Sequence, residues 1–323
     1  MTTESANPPH DDAVQDDPAG ESDPPSLRGD LMALMKARLT LLVVITTAIG
    51  FWVSAKRNGF DGALLFHTIL GTSLAALGSS VFNQLMEIDA DRRMKRTHDR
   101  PLPAERLSPA AAFGLGWVLC GFGIVHLAMK VNLEASLLVA ATLVTYILIY
   151  TPMKRRSTWN TIVGAVSGAF PPMVGWAGAF GPPAANAEVA LRWDIIWCPE
   201  AFFLFTLLFF WQLPHFVAIN WIYREQYVDG GFVMWSNDDD DGAKTSFLAI
   251  LFSVPLVLLM AQPMAYGFGS WLLLIGGGLL GLWMVWLAIR FRRDRTKPSA
   301  RKLFFYTLGY LPLSLLLLVI DWR

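Results

Sequence analysis

Nine stretches of this chain, each 18 to 27 residues long, carry few or no charged side chains: 31–55, 62–82, 110–129, 133–150, 160–180, 195–221, 246–264, 271–289 and 303–320. A hydrocarbon core about 30 Å thick takes about 20 residues of helix to cross. Inside it, every backbone amide and carbonyl must find its partner within the chain. The stretches are too long for barrel strands, so the expected fold is an all-α polytopic membrane bundle of nine transmembrane helices. Composition agrees, with 54% of residues hydrophobic and 16% charged, where a soluble domain has roughly 25% charged. Cys120 and Cys198 sit singly in apolar runs, which suits small buried hydrophobes rather than a disulfide or a metal cluster.

Loop charges test the count. With nine crossings, 21 of the 26 Lys and Arg residues share the side of the N-terminus and 5 lie opposite. An eight- or ten-span reading moves basic loops to the minority side. The positive-inside rule then puts the N-terminus in the cytoplasm and the C-terminus outside. Residues 1–30 hold eight acids against one base, Arg28. Such a segment cannot bury a core, so it is expected to be a disordered cytoplasmic tail ahead of a membrane domain spanning 31–323. It has neither the apolar core of a secretory signal nor the Arg-rich, acid-poor character of a transit peptide, which points to a bacterial inner membrane. With a net charge of +0 there is no field to gather nucleic acid, and the bilayer is the expected surroundings.

The most informative loop follows the second stretch, where Asn83, Glu87 and Asp91 stand four residues apart. On a helix that spacing stacks three oxygen-bearing side chains on one face. Carboxylate and carboxamide oxygens suit Mg²⁺, which takes the rest of its shell from water and substrate phosphates. The pattern therefore describes half a site, completed by a phosphorylated ligand. Arg92, Arg93, Lys95, Arg96 and Arg100 follow within ten residues. Topology alone accounts for basic residues there, but guanidinium groups also grip phosphate oxygens in pairs. Acids contribute little to topology and are costly near hydrocarbon, so Asn83, Glu87 and Asp91 are read as functional and Asp89, on another face, as solvated.

Three other loops carry polar residues at helix ends. Tyr150-Thr151-Pro152-Met153-Lys154-Arg155-Arg156 closes the fourth stretch, and Trp211-Gln212-Leu213-Pro214-His215-Phe216 falls within the sixth. An ionisable group beside an intramembrane helix break, as His215 is, is a functional candidate by default. Asp238–Asp241 lack the spaced pattern of a calcium loop and read as a solvated acidic run. His67, His98 and His126 have no partner at ligand spacing along the chain.

The run Asn-x-x-x-Glu-x-x-x-Asp-x-x-Met-x-Arg-Thr-x-x-Arg-Pro-Leu, met in full from Asn83 to Leu102, resembles the first signature of the UbiA-type intramembrane prenyltransferases. Its Arg96-Thr97-x-x-Arg100-Pro101 tail is similar to the branch of that family that makes haem O. The resemblance covers the chain from about Lys36 to the last apolar stretch, and Lys36 with Arg38 matches a Lys-x-Arg element near the family's start. It implies transfer of a farnesyl group from farnesyl diphosphate to a vinyl group of protohaem IX with addition of water, haem being a substrate rather than a redox cofactor. Mg²⁺ would be the cofactor, on Asn83, Glu87 and Asp91, with Arg96, Arg100 and Lys154 receiving the diphosphate. Tyr150, Arg155, His215, Arg224 and Glu225 are implied as further contacts to diphosphate or haem, and haem-handling or oxidase-assembly proteins as partners. The chain departs from the second family signature in having Gln226 where an Asp is usual, so a second ion there would depend on Glu225 or Asp229. A UbiA-type enzyme acting on a quinone precursor or a chlorophyllide, and a transporter of an anionic metabolite, are the alternatives.

Overall fold

A computed structural model describes residues 26–183 and 190–323, which form helices and no strand. The helices are α1 (Leu27–Leu34), α2 (Ala37–Asn58), α3 (Gly62–Arg93), α4 (Pro109–Lys130), α5 (Leu133–Leu143), α6 (Asn160–Gly178), α7 (Pro199–Ile222), α8 (Ala243–Leu259), α9 (Trp271–Asp294) and α10 (Lys297–Asp321). Helix α5 runs on through a π-helical stretch, Val144–Tyr150, to Met153. Large apolar side chains such as Trp117 and Phe122 on α4, Leu258 on α8 and Leu279 on α9 lie exposed on the outside, as lipid-facing positions should.

Among the described residues, eight helices are long and apolar enough to cross a membrane. The chain is thus a multi-pass membrane protein, and the nine crossings expected from the sequence are one more than length and hydropathy support. The difference lies in α6, which occupies the fifth expected stretch but starts on Asn160, has four Gly among its 19 residues and carries Pro171 and Pro172 inside it. Of its 19 residues 14 are buried, so it faces other helices rather than lipid and is under no pressure to be apolar throughout.

Helix α6 is the centre of the bundle, packed between α2 and α5 on one side and α7 on the other. Small residues make the approach close. A Cβ placed on Gly50 of α2 would stand 1.9 Å from the Pro172 carbonyl oxygen, and one on Gly175 of α6 would stand 1.8 Å from that of Thr47. Without a hydrophobic drive between helices in lipid, such contact is what holds them together. Helices α3 and α4 pair outside α2 and α5, α8 and α9 outside α7, and α10 packs on α7 and α9 and reaches α2.

Helices α5 and α6 run antiparallel. Asn132, which caps α5, donates to the Ala177 carbonyl at the end of α6 at 2.7 Å, while the Tyr150 ring at the other end of α5 abuts Gly164 near the start of α6. The Asn132 end is fastened by polar locks. Glu134 Oε1 accepts from the Arg192 backbone N at 2.8 Å and from Nε at 3.1 Å, and Oε2 from Nη2 at 2.9 Å. Asp321 accepts from the amides of Ser270 and Leu273 and from the Ser270 hydroxyl. His67 and His126, without partners along the chain, meet at 3.2 Å between α3 and α4. Fifty-nine residues of separation hide that pair from a sequence reading.

The acidic tail expected over 1–30 falls mostly on residues 1–25, outside the described residues. Its last four residues, 27–30, belong instead to α1, capped by Ser26 and tied down by Arg106 Nε donating to Asp30 at 3.0 Å. Asp239, expected in a solvated run, is buried and accepts from the amides of Lys244 at 3.0 Å and Thr245 at 2.7 Å, so it caps α8. Burial works to raise its pKa, the hydrogen bonds outweigh that, and the net direction is downward.

Candidate active site

Asn83, Glu87 and Asp91 lie in the last three turns of α3, all buried on one face, and all line a cavity of about 230 Å³ at the end where α5 and α7 also finish. Each has a polar partner. Lys36 Nζ donates to Asn83 Oδ1 at 2.6 Å, Lys154 Nζ to Glu87 Oε1 at 2.7 Å, and Arg100 Nη1 to Asp91 Oδ2 at 2.7 Å. Asp91 is 1% exposed, yet its Oδ1 has no partner among the described residues. A buried carboxylate oxygen left unpaired costs free energy unless a ligand satisfies it.

Local structure explains why these side chains converge. After α3 the chain turns back, with the Thr97 hydroxyl donating to the Asp91 carbonyl at 3.1 Å. Leu102 packs into a small core with Leu34, Val81 and Ala112. The turn carries Arg100 back to Asp91 and Arg96 to the cavity wall. Lys36 precedes α2 in a left-handed conformation, φ +48°. The buried Gln84 side chain fixes that junction by donating to the Ala33 carbonyl at 2.9 Å and the Leu34 carbonyl at 2.8 Å. Burial first, and then the nearby Arg100 cation, brings the Lys36 pKa down to about 7. For Lys154 burial acts downward, but the Glu87 carboxylate prevails and the net shift is upward, so the ammonium persists. Its charge also lies 4.6 Å from the Tyr150 ring centre.

The 230–234 loop forms the remaining wall. Gly231 adopts φ +74°, which the Gly230-Gly231 pair accommodates without strain, and the Val233 amide donates to the Lys154 carbonyl at 2.7 Å. Tyr227, Phe232 and Met234 thereby face the cavity, and burial raises the Tyr227 pKa.

A second cavity of about 400 Å³ adjoins the first and shares Lys36, Leu39, Tyr146, Tyr150, His215 and Phe216 with it. Its wall is mainly apolar, with Leu42, Val43, Val139, Pro171, Leu208 and Leu311 among its residues. A cationic and carboxylate-bearing chamber opening on an apolar one suits a ligand with an anionic head and a long hydrocarbon tail.

Of the residues singled out from the sequence, the structure brings Asn83, Glu87, Asp91, Arg96, Arg100, Tyr150, Lys154 and His215 to these cavities. It keeps Arg155, Arg224, Glu225 and Asp229 out. Arg155 is exposed beyond the helix end. Arg224 turns to the Asp239 carbonyl at 2.9 Å and the Trp221 ring. Glu225 is exposed and pairs with Lys297 at 3.3 Å, and Asp229 is also exposed. Neither acid lines the cavity, because the short helix Arg224–Asp229 presents Tyr227 to it. Lys36, Tyr146, Asn160 and Asn220 also line it. The spacing Tyr146, Tyr150, Lys154 repeats the four-residue ladder of α3 and is the signal that points to Tyr146.

Among the described residues no cluster of three or more His, Cys, Asp or Glu side chains could hold a metal alone. Asn83, Glu87 and Asp91 offer the oxygen donors that a hard cation takes when it shares its shell with a ligand, and Asp91 Oδ1 is the one of these oxygens buried without a partner among the described residues.

Fold and site together describe an intramembrane cavity suited to an anionic head and an apolar tail, and the chain belongs to the UbiA prenyltransferase family, whose model matches residues 43–309. It is 39% identical to a protoheme IX farnesyltransferase of Opitutus terrae over 293 residues, 90% of this chain and 94% of that one. A protein of the same name from Solibacter usitatus is 36% identical over 301 residues, 90% and 98% of the two chains. Among solved structures, one described for digeranylgeranylglyceryl phosphate synthase has a TM-score of 0.74 at 16% identity, covering 91% of this chain and 98% of that one. A UbiA homolog from Archaeoglobus fulgidus bound to DMAPP and Mg²⁺ has a TM-score of 0.62 at 13% identity, covering 90% and 99%. These structures share the fold.

Proposed function

We propose that the chain transfers the farnesyl group of farnesyl diphosphate to a vinyl group of protohaem IX, with addition of water, giving haem O and diphosphate. One observation carries this reading: the Asn83, Glu87, Asp91 ladder, with its unpartnered buried oxygen, stands with Arg96, Arg100 and Lys154 at the mouth of an apolar chamber. The Arg96-Thr97-x-x-Arg100-Pro101 element and the names of the relatives support haem as the acceptor.

Asn83, Glu87 and Asp91 would hold Mg²⁺. When bound, the ion draws charge from the departing diphosphate. Arg96, Arg100 and Lys154, with Lys36 beside Asn83, are the cavity's basic groups for phosphate oxygens, and fixed charges in a site shielded from water stabilise a leaving group more than solvent does. The apolar chamber takes the hydrocarbon tail and keeps bulk water from the allylic cation.

In this reading α6 is a crossing too, which brings the count to nine, and residues 31–323 act as one domain. The support is that Asn160, at its start, lines the site while Ala177, at its end, bonds the opposite end of α5. The site loops then face the cytoplasm, as the excess of basic residues there requires, in a bacterial cell membrane. Haem-handling or oxidase-assembly proteins are the expected neighbours.

The test is to incubate membranes holding the protein with protohaem, farnesyl diphosphate and Mg²⁺, with and without chelator, and to weigh the extracted haem. A gain of farnesyl plus water, abolished by chelator, is expected. Consumption of farnesyl diphosphate with haem unchanged would move the acceptor to a quinone precursor or chlorophyllide. No consumption at all would revive a transporter.

A further inference from the structure

The reaction adds water to a carbon cation, and the proton of that water needs an acceptor. His215 lines both the polar and the apolar cavity. Its ring is held between Trp211, at 5.7 Å between centres, and Phe304, at 4.8 Å. Nδ1 stands 2.9 Å from the hydroxyl of Thr307, a fully buried residue of α10. That hydroxyl has already committed its hydrogen, donating to the Phe304 carbonyl at 2.6 Å. With its hydrogen on the shorter bond to Phe304, the hydroxyl accepts from His215, an arrangement that puts the imidazole proton on Nδ1 and the lone pair on Nε2. Nε2 has no protein partner among the described residues, nor is it sealed in by packing. The Trp211 indole N–H donates to the Thr307 carbonyl at 2.7 Å and closes the clamp.

We propose that His215 Nε2 is the base for the hydration step and that Thr307 is the positioning residue that fixes its tautomer, an inference that rests on the farnesyl transfer proposed above. The steps balance. The allylic C–O bond breaks and its electron pair leaves with diphosphate. The vinyl π pair forms the new C–C bond to farnesyl carbon 1, leaving a cation on the carbon next to the porphyrin ring. A water lone pair forms the C–O bond there, and the surplus water proton passes to Nε2. Without a base at that place, the cation sheds a proton from its other neighbouring carbon and becomes an alkene, one water lighter.

The test compares the full-length protein with Thr307→Val and Thr307→Ser in lipid, supplied with protohaem, farnesyl diphosphate and Mg²⁺, reading the masses of the haem products and the KM for farnesyl diphosphate. Thr307→Val keeps the volume but cannot accept from Nδ1–H. The water-added product should fall about tenfold to a hundredfold, the alkene should rise as a share of product, and KM should stay within about twofold. Thr307→Ser, which restores the acceptor, should recover the wild-type product ratio. A wild-type rate and product ratio in Thr307→Val would overturn the proposal. So would an equal fall in Thr307→Ser, because the residue would then act through packing. Wild-type protein that leaves haem unmodified would instead overturn the proposed function, and this inference with it.

Discussion

The two ends of the helix bundle both bury carboxylates against cations, but they treat them differently. At the end fastened by Glu134 and Asp321, the acids spend their oxygens on protein donors: Glu134 accepts three hydrogen bonds from Arg192, and Asp321 takes two backbone amides and a hydroxyl. At the other end Asp91 keeps an oxygen without a partner among the described residues, and Asn83, Glu87 and Asp91 all face a cavity. Charge burial by itself therefore does not mark a site. A satisfied pair is a lock between helices, and an unsatisfied one beside a cavity is half of a binding interaction.

The sharpest way to break this contrast is to remove one carboxylate from each end. Asp91→Asn should lower turnover by at least about a hundredfold, the scale of losing one fixed charge from transition-state stabilisation. Its thermal melting in detergent should stay close to wild type, because the Asn oxygen can keep the single bond from Arg100 while its amide takes the place of the unpaired Oδ1. Normal turnover in this variant would remove Asp91 from the site. Glu134→Gln should behave in the opposite sense. It should lose about 1–3 kcal/mol of stability, tempered by the partial exposure of Arg192, and keep its turnover per folded molecule. A hundredfold fall there would erase the distinction between the ends.

Gln84 sharpens the comparison within the active end, since it meets no cavity and acts by holding the α1–α2 junction that places Lys36. Gln84→Leu should raise the KM for farnesyl diphosphate by about tenfold and change kcat less, a split that identifies lost ground-state binding. The smallest effect belongs to Asp239. Its folded pKa lies below the unfolded one, so its stabilisation is present above the ordinary carboxylate range and is lost as pH falls through the lowered folded value. The protection of the Lys244 and Thr245 amides, the ratio of intrinsic to observed exchange rate at each pH, should fall with acidification, and Asp239→Asn should cost about 1 kcal/mol at neutral pH. Protection that does not change with pH would show that the cap contributes nothing.

Much of the site was legible because it is local. Asn83, Glu87 and Asp91 lie on one face of one helix, and Arg96 and Arg100 follow in the turn that Thr97 and Leu102 shape. Arg224, Glu225 and Asp229 show the limit of the same reasoning. A six-residue helix turns Tyr227 inward and the charged residues out, and spacing does not say which face of so short an element will meet the cavity. The meeting of His67 with His126 and the bond between His215 and Thr307 join residues 59 and 92 positions apart. No periodicity carries that information.

The amino-acid sequence by itself determined that this chain is a membrane helix bundle with its acids and bases gathered at helix ends, because hydrocarbon length and backbone hydrogen bonding leave no other fold for such apolar runs. It also determined the Asn83, Glu87, Asp91 ladder, which depends on helical pitch alone. Only the tertiary structure decided which buried charges are satisfied and which are open. That depends on helices from distant parts of the chain approaching closely enough, through positions such as Gly50 and Gly175, to supply a partner to one carboxylate and withhold it from another.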